Sequence, residues 1–143
     1  MLLKSLFNLV TAVAVLLSVN SALAQDSTKT VRGAKIEFVE TSYDFGSAAQ
    51  NTTVKHIFKF KNVGSDTLKI TQVKTSCGCT AAESSKIIPP QKEGQIEVTY
   101  STGHSSGRVY KTVYVFSNDV TAPQRSISIH GVVAAEKTGE SKQ

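Results

Sequence analysis

The chain lacks a hydrophobic run long enough to span a membrane comfortably. Its longest apolar stretch, residues 6–19, is interrupted only by Asn8, Thr11 and Ser18, and it falls short of the roughly 20 residues that a bilayer-crossing helix needs. Met1 and Lys4 stand ahead of it and Ser21-Ala22-Leu23-Ala24 behind it. That is the layout of an export signal ending in a small-x-small cleavage site. Residues 1–24 are therefore expected to be a signal peptide, with a retained signal anchor as the alternative. The mature chain is expected to be periplasmic or secreted, with no membrane span after cleavage. Gln25, not a cysteine, stands directly after the cleavage site, which argues against lipid attachment.

Other absences narrow the function. No cluster of Lys and Arg interleaved with aromatics is present, so nucleic-acid binding is not expected. The formal charge of +5, which drops by one when Lys4 is removed, is spread over Lys55, Lys59, Lys61, Lys69, Lys74, Lys86 and Lys92. Spacing of that kind suits a solvated sheet face, although net basic charge also favours acidic surfaces such as anionic headgroups or glycans. There is no Gly-x-Ser-x-Gly elbow, no His-Glu-x-x-His helix and no phosphate loop. Asp44, Asp66 and Asp119 sit in turn contexts, where carboxylates bond nearby backbone amides, and no catalytic carboxylate pair stands out. The expectation is a protein that is not an enzyme and carries no cofactor. Asn51-Thr52-Thr53 matches a glycosylation acceptor, which has meaning only in a eukaryotic secretory pathway. Helical periodicity and repeats of 20–50 residues are also missing.

Alternation with a period of two is abundant instead. Val54, His56, Phe58 and Phe60 fall on one face of the stretch 54–62, and Lys55, Ile57, Lys59 and Lys61 on the other, the pattern of a half-buried strand. Further strands are expected at 34–39, with Ile36 and Phe38 on one face; around Tyr43 and Phe45; at 68–73; and at 95–100, with Ile96, Val98 and Tyr100 inward. The stretch 109–116 is apolar on both faces apart from Lys111 and Thr112, and predicts a central, well-covered strand. Ile127, Ile129, Gly131 and Val133 mark the last one. Residues 81–85 read as a loop, and the Ile87-Ile88-Pro89-Pro90 segment cannot lie mid-sheet because proline has no donor. About seven short antiparallel strands separated by turn clusters predict an all-β, immunoglobulin-like Greek-key sandwich over residues 35–133. A flexible lead-in is expected at 25–34 and a disordered tail at 134–143.

Only two cysteines are present, Cys77 and Cys79, separated by Gly78. On an extended strand both would face the same side. Direct bridging needs a kink that brings the Cα atoms closer, and Gly78 is the residue that would permit it. Closing so small a loop stabilises by roughly 1.6 kcal/mol at best, so a bridge here is a weak staple, expected to be strained and readily reduced. Three readings stay open: a redox pair, a soft-metal pair, or two packed or incidentally oxidised thiols. In an exported protein neither sulfur can be taken as reduced.

Several motifs then fall in order: Tyr43-Asp44-Phe45-Gly46, the run from Phe58 through Asn62-Val63-Gly64, Leu68-Lys69-Ile70, Ser76-Cys77-Gly78-Cys79-Thr80, Gly107 before a strand ending Phe116-Ser117-Asn118, and His130-Gly131-Val132-Val133. In these the chain resembles the bacterial domain-of-unknown-function family 1573, itself similar to immunoglobulin-like domains of the Hydin and major sperm protein type. The resemblance covers roughly residues 36–133 and implies an exported sandwich with no established reaction. Such domains usually carry Pro-Gly before the strand at 95–100. Here Gln91 follows Pro90, and a residue with a Cβ disfavours positive φ.

The favoured function is a non-enzymatic interaction module with a protein partner in the cell envelope. It would act through the Cys-Gly-Cys strand and the loop after it, through the 101–107 loop, or by pairing an exposed edge strand. The alternatives are thiol–disulfide chemistry at Cys77 and Cys79, or binding of a soft metal such as Cu(I) by the same two residues. Only His104 or His130 could add to that pair. His56 is expected to be a satisfied structural histidine, His130 to point outward, and His104 to sit free in its loop.

Overall fold

The computed structural model describes residues 31–135; the expected signal peptide, residues 25–30 of the lead-in and residues 136–143 of the tail lie outside the described residues. Alternating sequences form the strands. β1 (Ile36–Phe38), β3 (Thr53–Asn62), β7 (Glu93–Ser101) and β5 (Thr80–Ser84) make one sheet in the order β1-β3-β7-β5. The second sheet runs β2 (Ser42–Ala49), β9 (Gln124–Ala134), β8 (Gly107–Ser117), β4 (Leu68–Thr75), β6 (Ile87–Ile88). The all-β, immunoglobulin-like sandwich expected from the sequence is what forms.

Three details differ from expectation. There are nine strands among the described residues rather than about seven, because the presumed loop at 81–85 supplies β5 and Ile87-Ile88 pairs with Leu68 and Lys69 as a two-residue edge strand. The prolines stay outside it, as their missing donors require. The sheets are not wholly antiparallel, since β2 runs parallel to β9. Finally, β8 is central but covered on one face only: Tyr110 and Tyr114 are exposed. A sandwich has two layers, so the outer side of each sheet faces water even where its residues are aromatic.

Inward positions interdigitate between the sheets. Phe58, Phe60, Ile96, Val98 and Tyr100 come from the first sheet, and Leu68, Val113, Val115, Ile127 and Ile129 from the second, all essentially fully buried. At one end of the body Asn62 is fully buried, and its side chain joins three segments. Its Oδ1 accepts from Gly64 N at 3.0 Å and Lys35 N at 3.3 Å, and its Nδ2 donates to Asp66 O at 2.8 Å and Ile88 O at 2.9 Å. Asp119 does the same for β1 and the β8–β9 turn. Its buried carboxylate accepts from Ile36 N, Thr121 N and Oγ1, Ala122 N and Arg125. Burial works to raise its pKa, but hydrogen bonds from the Thr121 side chain and from the Thr121, Ile36 and Ala122 amides outweigh that, and the carboxyl lies below its ordinary value. Residues 31–34 of the lead-in are tied down here: Val31 bridges Gly64, and buried Ala34 bridges Asp119.

The turn before β7 also has a definite geometry. Lys92 N donates to Pro89 O, with Pro90 and Gln91 at its corners, and Gln91 has φ 62°. Proline followed by a left-handed residue is the type II arrangement, which favours glycine at the second corner.

Candidate functional site

β4 and β5 are consecutive in the chain but belong to opposite sheets, and the Cys-Gly-Cys segment is the corner between them. Cys77 and Cys79 form a disulfide with their Cα atoms 5.4 Å apart, shorter than the roughly 6.6 Å that two strand residues span. The pair therefore sits in a turn and not on an extended strand. Thr75 Oγ1 and Thr80 N both donate to Cys77 O, which bends the segment. Gly78 does not adopt the left-handed conformation, and a Cβ there would meet nothing within 4 Å. The bend thus does not depend on glycine in the way the sequence suggests. Cys77 is half-buried with Sγ 3.6 Å from Thr80 Oγ1, and Cys79 is exposed.

With the sulfurs joined, neither is a thiolate that could attack or ligate. Among the described residues no group of three or more His, Cys, Asp or Glu is placed to hold a metal ion. The histidines lie in other settings. His56 stacks on Tyr43 at 3.6 Å and bonds Glu40 Oε1 at 2.8 Å, a satisfied histidine at the rim of the core. His104 is exposed in the 101–107 loop. His130 points outward from β9, stacked on Tyr110, with Nδ1 3.3 Å from Ser42 Oγ and Nε2 3.9 Å from Asp44 Oδ2. Sequence reading did not bring Ser42, His130 and Asp44 together, because they meet only through the parallel β2–β9 pairing. The separation from Asp44 is too long for a hydrogen bond, and the Gly46 N–H on the same rim is already donated to Asp44 Oδ1.

The feature that the sequence conceals is beside the disulfide. Among the described residues β4 has a second strand neighbour only at Leu68 and Lys69. Ile70 N reaches Lys86 O, and beyond that point β4 pairs, among the described residues, with β8 alone. Ser76 N donates to Thr112 O. By the two-residue alternation of an antiparallel ladder, Lys74 and Gln72 also direct their main chain at β8, while Val73 and Thr75 direct theirs outward. On the opposite wall Ser101 N donates to Cys79 O and Ser85 N to Gln95 O, which by the same alternation turns the main chain of Ala82 and Ser84 away from β7. Two strand edges left unpaired by the described residues thus flank a groove of about 450 Å³ lined by Ile70, Gln72, Val73, Ala82, Ser84 and Lys86. Ile70, Val73 and Ala82 form part of the hydrophobic cluster, and Lys69, Lys74, Lys86 and Glu83 are exposed around it.

Residues 36–133 match the model of a family described as "Protein of unknown function (DUF1573)". No curated protein matches the chain. Among solved structures, a protein of unknown function from Porphyromonas gingivalis W83 is similar with a TM-score of 0.61 and 20% identity. The match covers 72% of this chain and 48% of that one, so the present chain spans about half of that protein. PapD-like domain 7 of human CEP192 follows with a TM-score of 0.58, 12% identity, and coverage of 73% and 89%. The VesB protease of Vibrio cholerae has a TM-score of 0.58, 9% identity, and coverage of 68% and 32%. At these identities the likenesses establish the fold alone.

Proposed function

The chain belongs to the DUF1573 family, and from that membership, the two-sheet body and the open edge of β4 we propose that it is an exported, non-enzymatic protein-interaction module of the cell envelope. It binds by strand addition at β4, beside the Cys77–Cys79 turn. The observation that carries this reading is that, among the described residues, β4 is paired on its second edge at Leu68 and Lys69 only. An unpaired edge presents a row of donors and acceptors that another chain can satisfy, and extended segments use such edges for affinity through main-chain hydrogen bonds. The apolar floor supplied by Ile70, Val73 and Ala82 would hold alternate side chains of the added strand.

The test compares wild type with Val73→Pro in affinity capture from envelope extract under mild crosslinking. The outward-facing amide of Val73 is not used by the β4–β8 ladder, so proline removes a donor at the edge without breaking an internal bond. A partner retained by wild type and lost by the variant, with unchanged far-UV circular dichroism, is the expected result. A protein recovered alone in every capture, or equal capture by both forms, overturns the proposal.

A further inference from the structure

We infer that the occupant of the β4–β5 groove is an extended polypeptide segment of net negative charge; this rests on the strand-addition reading above and goes further by naming the chemistry of what is added. The walls select an extended polypeptide. Main-chain groups of Val73 and Thr75 on one side and of Ala82 and Ser84 on the other are turned to the groove, and only another backbone offers donors and acceptors alternating at the matching spacing. The floor of Ile70, Val73 and Ala82 selects modest apolar side chains at every second position.

The rim selects the charge. Lys86 lines the groove together with Glu83, and Lys74 is exposed on the adjoining stretch of β4; among the described residues neither lysine takes part in an ion pair. Lys74 Nζ stands over the Phe116 ring of β8, 5.6 Å from its centroid, a contact that leaves its charge unneutralised. Carboxylates on the outer side of a strand added beyond Ile70 would face Lys74, where opposite charges stabilise and like charges repel. The same lysines disfavour a second copy of this chain as occupant. Two open β4 edges zipped together would bring Lys74 of one copy beside Lys74 of the other, a known way of blocking edge-to-edge association. Residues 136–143 hold two glutamates and two lysines, so their side chains carry balanced charge.

The test uses three short acetylated peptides: valine alternating with glutamate, valine alternating with lysine, and the glutamate peptide with a central proline. Binding is followed by fluorescence anisotropy at low and high salt, and backbone amide shifts report the site. The expected result is that the glutamate peptide binds roughly tenfold or more tightly than the lysine peptide at low salt, a margin that shrinks as salt is added. Amide shifts should centre on Val73, Thr75, Ala82 and Ser84, and the proline peptide should lose binding. Lys74→Glu together with Lys86→Glu should reverse the preference. Equal binding of the two charged peptides at those amides overturns the charge inference and leaves strand addition standing. Absence of any shift at those amides overturns both. A concentration-dependent dimer whose interface protects the β4 amides would instead make a second copy the occupant and overturn the inference.

Discussion

Replacing Asn62 by aspartate keeps the shape of the side chain and changes only its hydrogen-bonding sense. The two acceptor contacts, from Lys35 N and Gly64 N, survive on one carboxylate oxygen. The two donor contacts, to Asp66 O and Ile88 O, are replaced by an oxygen facing two carbonyl oxygens. Each buried acceptor left without a partner costs about 1–3 kcal/mol, so Asn62→Asp should destabilise by about 3–5 kcal/mol near neutral pH. That is a large share of the roughly 5–15 kcal/mol that holds a domain of this size together. The loss should also depend on pH in a definite direction. Burial among carbonyls raises the folded-state pKa of the new carboxyl above its unfolded value of about 3.9. The folded variant then binds the proton more tightly than the unfolded one. Its deficit relative to wild type is smallest below the unfolded pKa and grows as pH rises through the folded one. Urea unfolding followed by circular dichroism at several pH values, with wild type measured beside it, reads both quantities. A loss below about 1 kcal/mol with unchanged urea dependence, or a deficit that grows toward acid, would refute the account of Asn62 as a satisfied hub.

Gln91→Gly should raise stability by about 0.5–1 kcal/mol in the same assay, since left-handed backbone costs a residue with a Cβ about 1–2 kcal/mol, partly offset by the greater unfolded-state freedom of glycine. Gln91→Val should lower it. Asp119 has a depressed folded-state pKa, so its contribution is complete above its unfolded value of about 3.9 and is lost as pH falls through the lower folded one. Asp119→Asn should therefore flatten the acid limb of the stability profile, and an unchanged acid limb would count against the buried carboxylate as its source. The Cys77→Ser/Cys79→Ser double variant should cost no more than roughly 1.6 kcal/mol, the loop-entropy ceiling for so short a ring. A drop several times larger in thermal or urea unfolding would mean that the bridge secures more than its own turn.

Strands with strong alternation were readable in advance because burial on one face selects apolar residues at every second position. Phe58 and Phe60, and Ile96, Val98 and Tyr100, lie where their period placed them. The role of His56 followed from the same parity. β5 was not readable: Thr80-Ala81-Ala82-Glu83-Ser84 has small residues with little strand preference, and it is a strand because β7 supplies the ladder. The bend at Cys77 and Cys79 stayed one of two open readings for a related reason. Their spacing fits either an extended or a turned backbone, and the choice is made by hydrogen bonds from Thr75, Thr80 and Ser101. The Ser42–His130–Asp44 grouping and the groove both depend on which strands become neighbours, and local periodicity does not carry that information.

A four-residue connection between two strands ordinarily closes a hairpin, yet β4 and β5 do not pair with each other. The hydrogen bonds at the turn explain why. Its first residue, Ser76, is held to Thr112 of β8 by Ser76 N to Thr112 O and by Thr112 N to Ser76 Oγ. Its last, Cys79, is held to β7 by Ser101 N. The two ends are thus pinned to opposite sheets, and the strands leaving them diverge instead of zipping together. Within that frame the disulfide contributes little to overall stability but shortens the chain between the pins, which limits how far the two edges can drift. Breaking it should therefore show first in the peptide affinity of the groove and only weakly in the unfolding free energy. A double serine variant that binds the glutamate peptide as wild type does would separate the bridge from the site.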